Sequence, residues 1–549
     1  MNSKLKDELI NILTELNISN GKYYLQDAFD IIVKLSYKIL ELLDNELKKY
    51  NWINLHCILL EYYSDSINYG TEKIKLNEKF DDEELTNIVN IYIYLIELNL
   101  IKRYNGKENI DINNDENIIK YLYSIANVLY FIQINISIIN AIKDFQNTKT
   151  KEFIYLEIDT KAEVIIKFPT SKEYEYQYNE FKKDNINHNI EMEFDDEKEL
   201  FEEKELRNIL KEELGVDYFE LNIILNISNI DKTIFDNKKI NGYKYVYEIT
   251  YDEFVFEILK RISLVPLEYI EKIIKFIILD CNNITNIKNK KEDYLSVDKL
   301  SSRKNRFDLK PLVNNENNRL IFSFESIKFA YSKWIRNITY FNFLYDFDLT
   351  KSKEILDKKK EKYQNDFSVK IANLLESNGY ISFGVDIDFH KRFNNSNLSY
   401  LGDYDVIAIN TITNVILLIE AKFIKLSRDI NELLEQQKEY YGNKEYIDID
   451  ANDTRKAKYL LPSEIFQRRI NYFLLHREEI LDNLVKTFNS VSRSKMKKNI
   501  KNININTKLK YTIKSYMVFN RYFKPFFTDT DFKVVSFNEL KYLLENNRI

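Results

Sequence analysis

The sequence predicts an α/β C-terminal domain, a mixed sheet flanked by helices, preceded by a mainly helical N-terminal region with an α+β segment. Three observations carry that expectation. Apolar residues recur near every 3.6 positions through most of residues 1–147, the spacing of amphipathic helices. Two apolar runs, GDYDVIAI (Gly402 to Ile409) and ILLIEAKF (Ile416 to Phe423), stand either side of the polar turn Asn410, Thr411, Ile412, Thr413, Asn414, as in an antiparallel hairpin. Beyond them, helix-like and strand-like segments alternate to the end of the chain, the order of a sheet covered by helices.

Taken in order, Lys4 to Leu16, Leu25 to Lys49, Trp52 to Ser66, Asp82 to Leu100 and Asn117 to Ile142 read as helices of a bundle over residues 1–147. Residues 151–282 read as an α+β accessory domain. Glu152 to Thr160, Ala162 to Phe168 and Tyr243 to Thr250 are strand-like, Glu191 to Glu205 is acidic, and a helical pattern from Asp252 to Leu279 is interrupted at Pro266. Residues 283–350 read as a linker and connector: Asn282 to Asn305 is polar, Asn314 to Asn318 is turn-like, and Glu325 to Tyr340, with Trp334, reads as a helix. Residues 306–350 are expected to dock, as a connector, on the last domain, residues 351–549. That domain opens with a helix from Phe367 to Asn378 ended by Gly379, then a strand from Tyr380 to Phe389, then the hairpin. Helices follow at Asp429 to Tyr441 and Ser463 to Phe488, strands at Tyr511 to Phe519 and Phe532 to Ser536, and a final helix at Asn538 to Asn546.

The hairpin carries the chemistry. Side chains alternate along a strand, so Asp403 and Asp405 share one face of the first strand, and Glu420 and Lys422 share one face of the second. The uninterrupted run Val415 to Ile419 reads as a strand buried on both faces, which does not end in Glu-Ala-Lys unless those charges have partners. A divalent cation is one such partner.

At these residues the chain resembles the PD-(D/E)xK nuclease superfamily, with its restriction-endonuclease-like fold. Asp405, directly before the run Val406, Ile407, Ala408, Ile409, takes the place of the motif's Asp; Glu420 and Lys422 take the (D/E)xK places. The motif's proline is absent, Gly402-Asp403-Tyr404 standing there, and Asp403 is the lesser candidate for the ligand role. The resemblance implies a Mg2+ site, Mn2+ substituting, held by Asp405 and Glu420 with the carbonyl of Ala421, since Mg2+ takes hard oxygen ligands and keeps several waters. It implies that Lys422 orients or helps deprotonate the attacking water, or faces the phosphate as a point charge. Members of the RecB type carry a Gln-x-x-x-Tyr helix beside the site, and QQKEYY offers Gln436 with Tyr440 and Gln437 with Tyr441. Gln436 joins the expected catalytic set and Tyr440 the expected DNA contacts. An acidic residue on the first helix often approaches the metal in that superfamily; Asp366 is the candidate here, with Glu361 and Glu376 behind it.

Composition places the same region. Of 9 glycines, Gly379, Gly384, Gly402 and Gly442 fall in the window around the motif, where tight turns and close backbone approach are expected. Residues 351–549 carry 34 Lys and Arg against 26 Asp and Glu, a net +8, whereas the rest carries 46 against 60, a net −14. A basic end suits nucleic acid and an acidic remainder suits regulation or a partner. The basic character peaks in Ser492 to Lys510, where Lys497 and Lys498 are candidates for phosphate contact, as are Arg468 and Arg469 in the Ser463 to Phe488 helix.

Several classes are excluded or disfavoured. The most apolar stretch, Val128 to Ile142, includes Gln133, Asn135, Ser137 and Asn140 and is too short to span a bilayer. MNSKLKDELINIL is a charged amphipathic segment, not a signal peptide, and Cys57 and Cys281 are too few for a disulfide framework, so a cytoplasmic setting is expected. His56, His188, His390 and His476 show no zinc-ligand spacing, and no GxxxxGK loop is present. The expected function is a Mg2+-dependent DNA endonuclease, a bacterial restriction or anti-phage defence effector whose N-terminal region senses a trigger or oligomerises. Its expected partners are DNA, a second copy of the chain and a defence-system protein, with no membrane. The alternatives are a repair or recombination nuclease of RecB type, which needs a free DNA end, and a catalytically silent DNA-binding module.

Overall fold

A computed structural model describes residues 3–75, 82–108, 110, 116–145, 153–158, 164–167, 204–216, 218–262, 265–281, 284, 305–315, 317–339, 350–389, 391, 401–424, 430–441, 461–494, 505–524 and 530–549. The N-terminal helices are α1 (Ser3–Glu15), α2 (Leu25–Leu47), α3 (Trp52–Lys75), α4 (Asp82–Lys102) and α5 (Glu116–Phe145). They pack through one apolar cluster that includes Leu9, Leu35, Ile58, Leu95 and Leu122. A short strand, β1 (Gly21–Tyr24), lies between α1 and α2 and pairs with β2 (Phe153–Ile158), which pairs with β3 (Val164–Lys167).

The middle of the chain comprises α6 (Lys204–Leu214), α7 (Tyr218–Ser228), a 3₁₀ turn at Lys232–Lys238, β4 (Tyr247–Thr250), α8 (Tyr251–Leu259), α9 (Leu267–Phe276) and β5 (Ile278–Leu279). It continues with β6 (Leu312–Asn314), β7 (Arg319–Phe322) and α10 (Phe324–Thr339). The four strands form a sheet in the order β4-β7-β6-β5. Thr250 and Glu253 cap α8 reciprocally, which is why β4 turns so abruptly into that helix. The rings of Phe235, Tyr247, Phe254, Phe322 and Phe324 fill the core beneath, and the buried indole of Trp334 donates to the Leu309 carbonyl at 3.0 Å.

The C-terminal part runs α11 (Thr350–Ser377), β8 (Ile381–Asp388), β9 (Asp403–Asn410), β10 (Val415–Lys422), α12 (Ile430–Tyr441), α13 (Pro462–Leu475) and α14 (Arg477–Ser494). It ends with β11 (Thr512–Phe519), β12 (Lys533–Ser536) and α15 (Phe537–Glu545). The sheet order is β12-β11-β10-β9-β8, antiparallel from β8 to β10 and parallel from β10 to β12. Helices cover both faces, as expected for the mixed sheet. Val406, Ala408, Leu417 and Ile419 meet Phe367, Ile371 and Leu375 of α11 and Leu540 of α15. The opposite face, with Ile407, Ile409, Ile416 and Leu418, meets Leu433 of α12, Phe466 and Ile470 of α13 and Leu481 of α14. That second cluster is continuous with the N-terminal bundle, where α12 lies against α5.

Three expectations need correction. Residues 1–147 are not purely helical: the strand β1 joins β2 and β3, so the proposed boundary near residue 150 cuts through one sheet. Residues 306–339 are not a connector docked on the last domain. Their strands pair with β4 and β5, and Phe322, Phe324 and Trp334 complete the middle core, because these large apolar groups find there the surface they must cover. The single helix from Ser463 to Phe488 is two helices parted at His476, whose φ of −116° leaves the helical region. The linker and the acidic stretch Glu191 to Glu205 lie almost wholly outside the described residues, as do His188, His390, Lys497 and Lys498.

Candidate active site

The hairpin forms for local reasons. The Asn410 side chain accepts from the backbone N–H of Ile412 (2.9 Å) and Thr413 (3.0 Å), and Asn414 takes the left-handed conformation (φ +56°) that asparagine tolerates. The register then pairs Val415 with Asn410 and Ile419 with Val406. One residue further, the same register sets Glu420 opposite Asp405 on one face of the sheet. Every residue of β10 is buried except the half-buried Lys422.

At this strand end the sequence-predicted trio comes together. Lys422 Nζ stands 2.6 Å from Glu420 Oε1 and 3.8 Å from Asp405 Oδ2. Asp405 Oδ2 also accepts the Ala421 backbone N–H at 2.6 Å. Burial, and then the neighbouring Glu420, push the Asp405 carboxyl up to about 7, although Lys422, the Ala421 N–H and Arg469 pull the other way. Burial opposes the charge of Lys422, but Glu420 and Asp405 more than offset it and hold the ammonium above the ordinary lysine range. Asp403, on β9, is a neighbour of Asp386: burial and then the charge of Asp403 raise the Asp386 carboxyl, while Lys422 pulls the other way.

Two side chains that sequence reasoning overlooked fix the end of β10. Gln364, on α11, donates to the Ala421 carbonyl at 2.5 Å and accepts the Phe423 N–H at 2.6 Å. Asn520, just past β11, accepts the Ile424 N–H at 2.8 Å and donates to the Ile424 carbonyl at 3.2 Å. A signal for Gln364 was present: it lies three, four and seven residues before Phe367, Ser368 and Ile371, on the buried face of its helix. Asp366, expected at the metal, is exposed; two residues from Gln364, it cannot share that face. Glu361 and Glu376 are exposed as well.

Arg469 is also displaced from its expected role. Instead of facing DNA from a helix surface it is buried, its Nη1 donating to Glu420 Oε2 and its Nε to the Leu401 carbonyl. Arg468 is exposed. The spacing Phe466, Arg469, Ile470, Phe473 puts Arg469 on the apolar stripe of α13, the signal that separates it from Arg468.

The two Gln-x-x-x-Tyr pairs differ. Gln437 donates to the Lys524 carbonyl at 2.9 Å and the Tyr441 hydroxyl donates to the Phe523 carbonyl at 3.3 Å, so this pair ties α12 to the chain after β11. Tyr440 packs edge-on against Phe519 and Phe523 and feels the charge of Lys422; burial pushes its hydroxyl up to about 12, Lys422 partly countering. Gln436 is buried one turn earlier on the same face. Of the two pairs, Gln436 and Tyr440 is therefore the one whose tyrosine adjoins the trio.

No family model matches this chain, and no curated protein or solved structure matches it. The chemistry of the site thus rests on its own geometry. Glu420, buried, and Asp405, partly buried, face each other as hard oxygen donors, and a carboxylate pair that leaves room for retained waters is the kind of donor set Mg2+ takes. Among the described residues no cluster of three His, Cys, Asp or Glu is assembled. Among the described residues no helix is long and apolar enough to cross a membrane.

Proposed function

We propose that this chain is a Mg2+-dependent deoxyribonuclease, Mn2+ substituting, built on a PD-(D/E)xK-like domain. The observation that carries it is the convergence of Asp405, Glu420 and Lys422 at one buried strand end beside Tyr440. The order of a helix, an antiparallel hairpin, further helices and a strand parallel to β10 supports it. When bound, the cation would supply counter-charge to the phosphate and lower the pKa of a water. Asp405 and Glu420 would hold it, and Gln364 fixes the direction of the Ala421 carbonyl that lies between Glu420 and Lys422 in the strand. Lys422, kept protonated by the two acids, serves as a point charge for the phosphate rather than as a base. The Tyr440 hydroxyl keeps its proton at neutral pH and is a donor toward the same region.

The N-terminal residues are proposed as the sensing or oligomerising part of a restriction or anti-phage effector. Supporting this, α5 and α12 share one core, so a rearrangement of the bundle bears directly on the helix that carries Gln436 and Tyr440. One observation favours a second class, a DNA-binding module without turnover: Arg469 already neutralises Glu420.

The test is incubation of the full chain with supercoiled plasmid, linear duplex and single-stranded DNA under Mg2+, Mn2+ or EDTA, beside Asp405→Ala and Lys422→Ala. Metal-dependent cutting that falls by about 100-fold or more in both variants is expected. Cutting of linear DNA alone would move the assignment to a RecB-type exonuclease. Binding with no product under either metal would move it to the silent module.

A further inference from the structure

Glu420 has two oxygens and both are engaged by cations of the chain itself, Oε1 by Lys422 and Oε2 by Arg469. The two cations differ in origin. Lys422 leaves β10 two residues after Glu420 and stands between the two acids, whereas Arg469 reaches in from α13, 49 residues along the chain.

The guanidinium is seated with care. Its Nε donates to the Leu401 carbonyl, and its carbon lies 5.9 Å from the centre of the Tyr404 ring. The buried Tyr404 hydroxyl donates to the backbone carbonyl of Arg469, fixing the helix that delivers it. Gly402 (φ +62°) makes room, since a Cβ there would stand 2.7 Å from Arg469 Nη2.

Two acids, Asp405 and Glu420, thus meet two bases, Lys422 and Arg469, and with both acids ionised the formal charges balance. Adding a divalent cation to that set would leave an uncompensated +2 in a buried place, beside a carboxylate whose two oxygens each already meet a cation of the chain. Removing the metal but also the arginine leaves buried carboxylates short of a counter-charge, a costly arrangement. Arginine and metal are alternatives.

We infer that Arg469 is an internal counter-cation which competes with the divalent metal for Glu420, so that α13 carries an electrostatic latch on the site. This rests on Asp405 and Glu420 being the metal carboxylates. Metal entry requires the guanidinium to leave Oε2, and the freed arginine then stands next to the metal site, within reach of an anionic phosphate. Arg469 is a positioning residue in this scheme, and whatever moves α13 or its Tyr404 anchor sets the metal affinity.

The experiment is calorimetric titration of the full chain with Mn2+ and with Mg2+, with thermal melting in both conditions, for the wild type, Arg469→Met, Tyr404→Phe and Glu420→Gln. In Arg469→Met, metal is expected to bind on the order of tenfold more tightly. The same variant is expected to melt lower than the wild type in EDTA and to be raised further by added metal. Should Arg469→Met fail to fold, Tyr404→Phe keeps every charge and loosens only the anchor, and tighter metal binding is expected there too. Equal or weaker binding in the folded variants, with wild-type binding lost in Glu420→Gln, overturns the latch and leaves the metal site standing. No metal binding by any of these proteins overturns the latch and the nuclease proposal together.

Discussion

Asp405 sits where two demands meet: a buried carboxyl opposite another carboxylate, and a backbone N–H and an ammonium that both favour its charge. Burial and Glu420 prevail, so its folded pKa, about 7, lies above the value of about 4 for an unfolded aspartate. The folded state therefore holds the proton more tightly. The stabilisation is complete below about pH 4 and is lost as pH rises through about 7. In EDTA, the melting temperature of the wild type is expected to decline over that window. Asp405→Asn, which carries no titratable group, should remove that part of the decline; a variant whose melting follows the wild-type slope would show that the carboxyl does not titrate there.

At the scale of elements, the site depends on how the end of β10 is held. Glu420 and Lys422 flank Ala421, and the Ala421 carbonyl and Phe423 N–H end on the carboxamide of Gln364. Gln364→Ala leaves two backbone groups unsatisfied near the core, a loss of about 1–3 kcal/mol for each that water does not reach. The expected outcome is a lower denaturation midpoint together with DNA cutting reduced about tenfold or more, because a misplacement of the flanking side chains is costly to catalysis. Gln364→Glu keeps the acceptor for Phe423 but not the donor to Ala421, and is expected to fall between the two. A variant that melts lower yet cuts at the wild-type rate would reduce Gln364 to a purely structural role.

At the scale of the molecule, the bundle and the middle domain are joined by polar groups of α3 and α4. Glu61 accepts the backbone N–H groups of Lys244 and Tyr245 at 2.8 Å each, Ser64 bonds Ser323 at 2.7 Å, and Glu97 accepts the Phe307 N–H at 2.7 Å. Among them His56 is fully buried with its ring edge-on to Phe307, and neither ring nitrogen has a hydrogen-bond partner. Burial lowers its pKa to about 3, against about 6.5 unfolded. The folded state binds the proton less readily, so this stability is present above about pH 6.5 and is lost as pH falls toward 3. His56→Leu is expected to keep the wild-type melting temperature within a few degrees at pH 7.5 and to resist acid better between pH 6 and 4. Equal acid sensitivity in the two proteins would place the titrating group elsewhere.

The sequence by itself determined the local parts: the strands and the order of elements in residues 351–549, though not the length of the first helix or the break at His476, the turn at Asn410–Asn414, and the face shared by Asp405, Glu420 and Lys422. Those follow from the 3.6- and two-residue periods and from turn chemistry, which act over a few positions. The same 3.6-residue period holds a signal for Gln364 and Arg469 that was missed, Arg469 being expected at DNA, and no period says what they would meet. Partners 57 and 49 residues away, Ala421 and Glu420, were decided by which elements pack together. The same holds for the strand Gly21–Tyr24, which is a strand only because β2 pairs with it, and for residues 306–339, whose aromatic side chains found the middle core. Local pattern tells a chain which face to bury, and only the packed molecule supplies the surface, and the opposing charge, that the face is buried against.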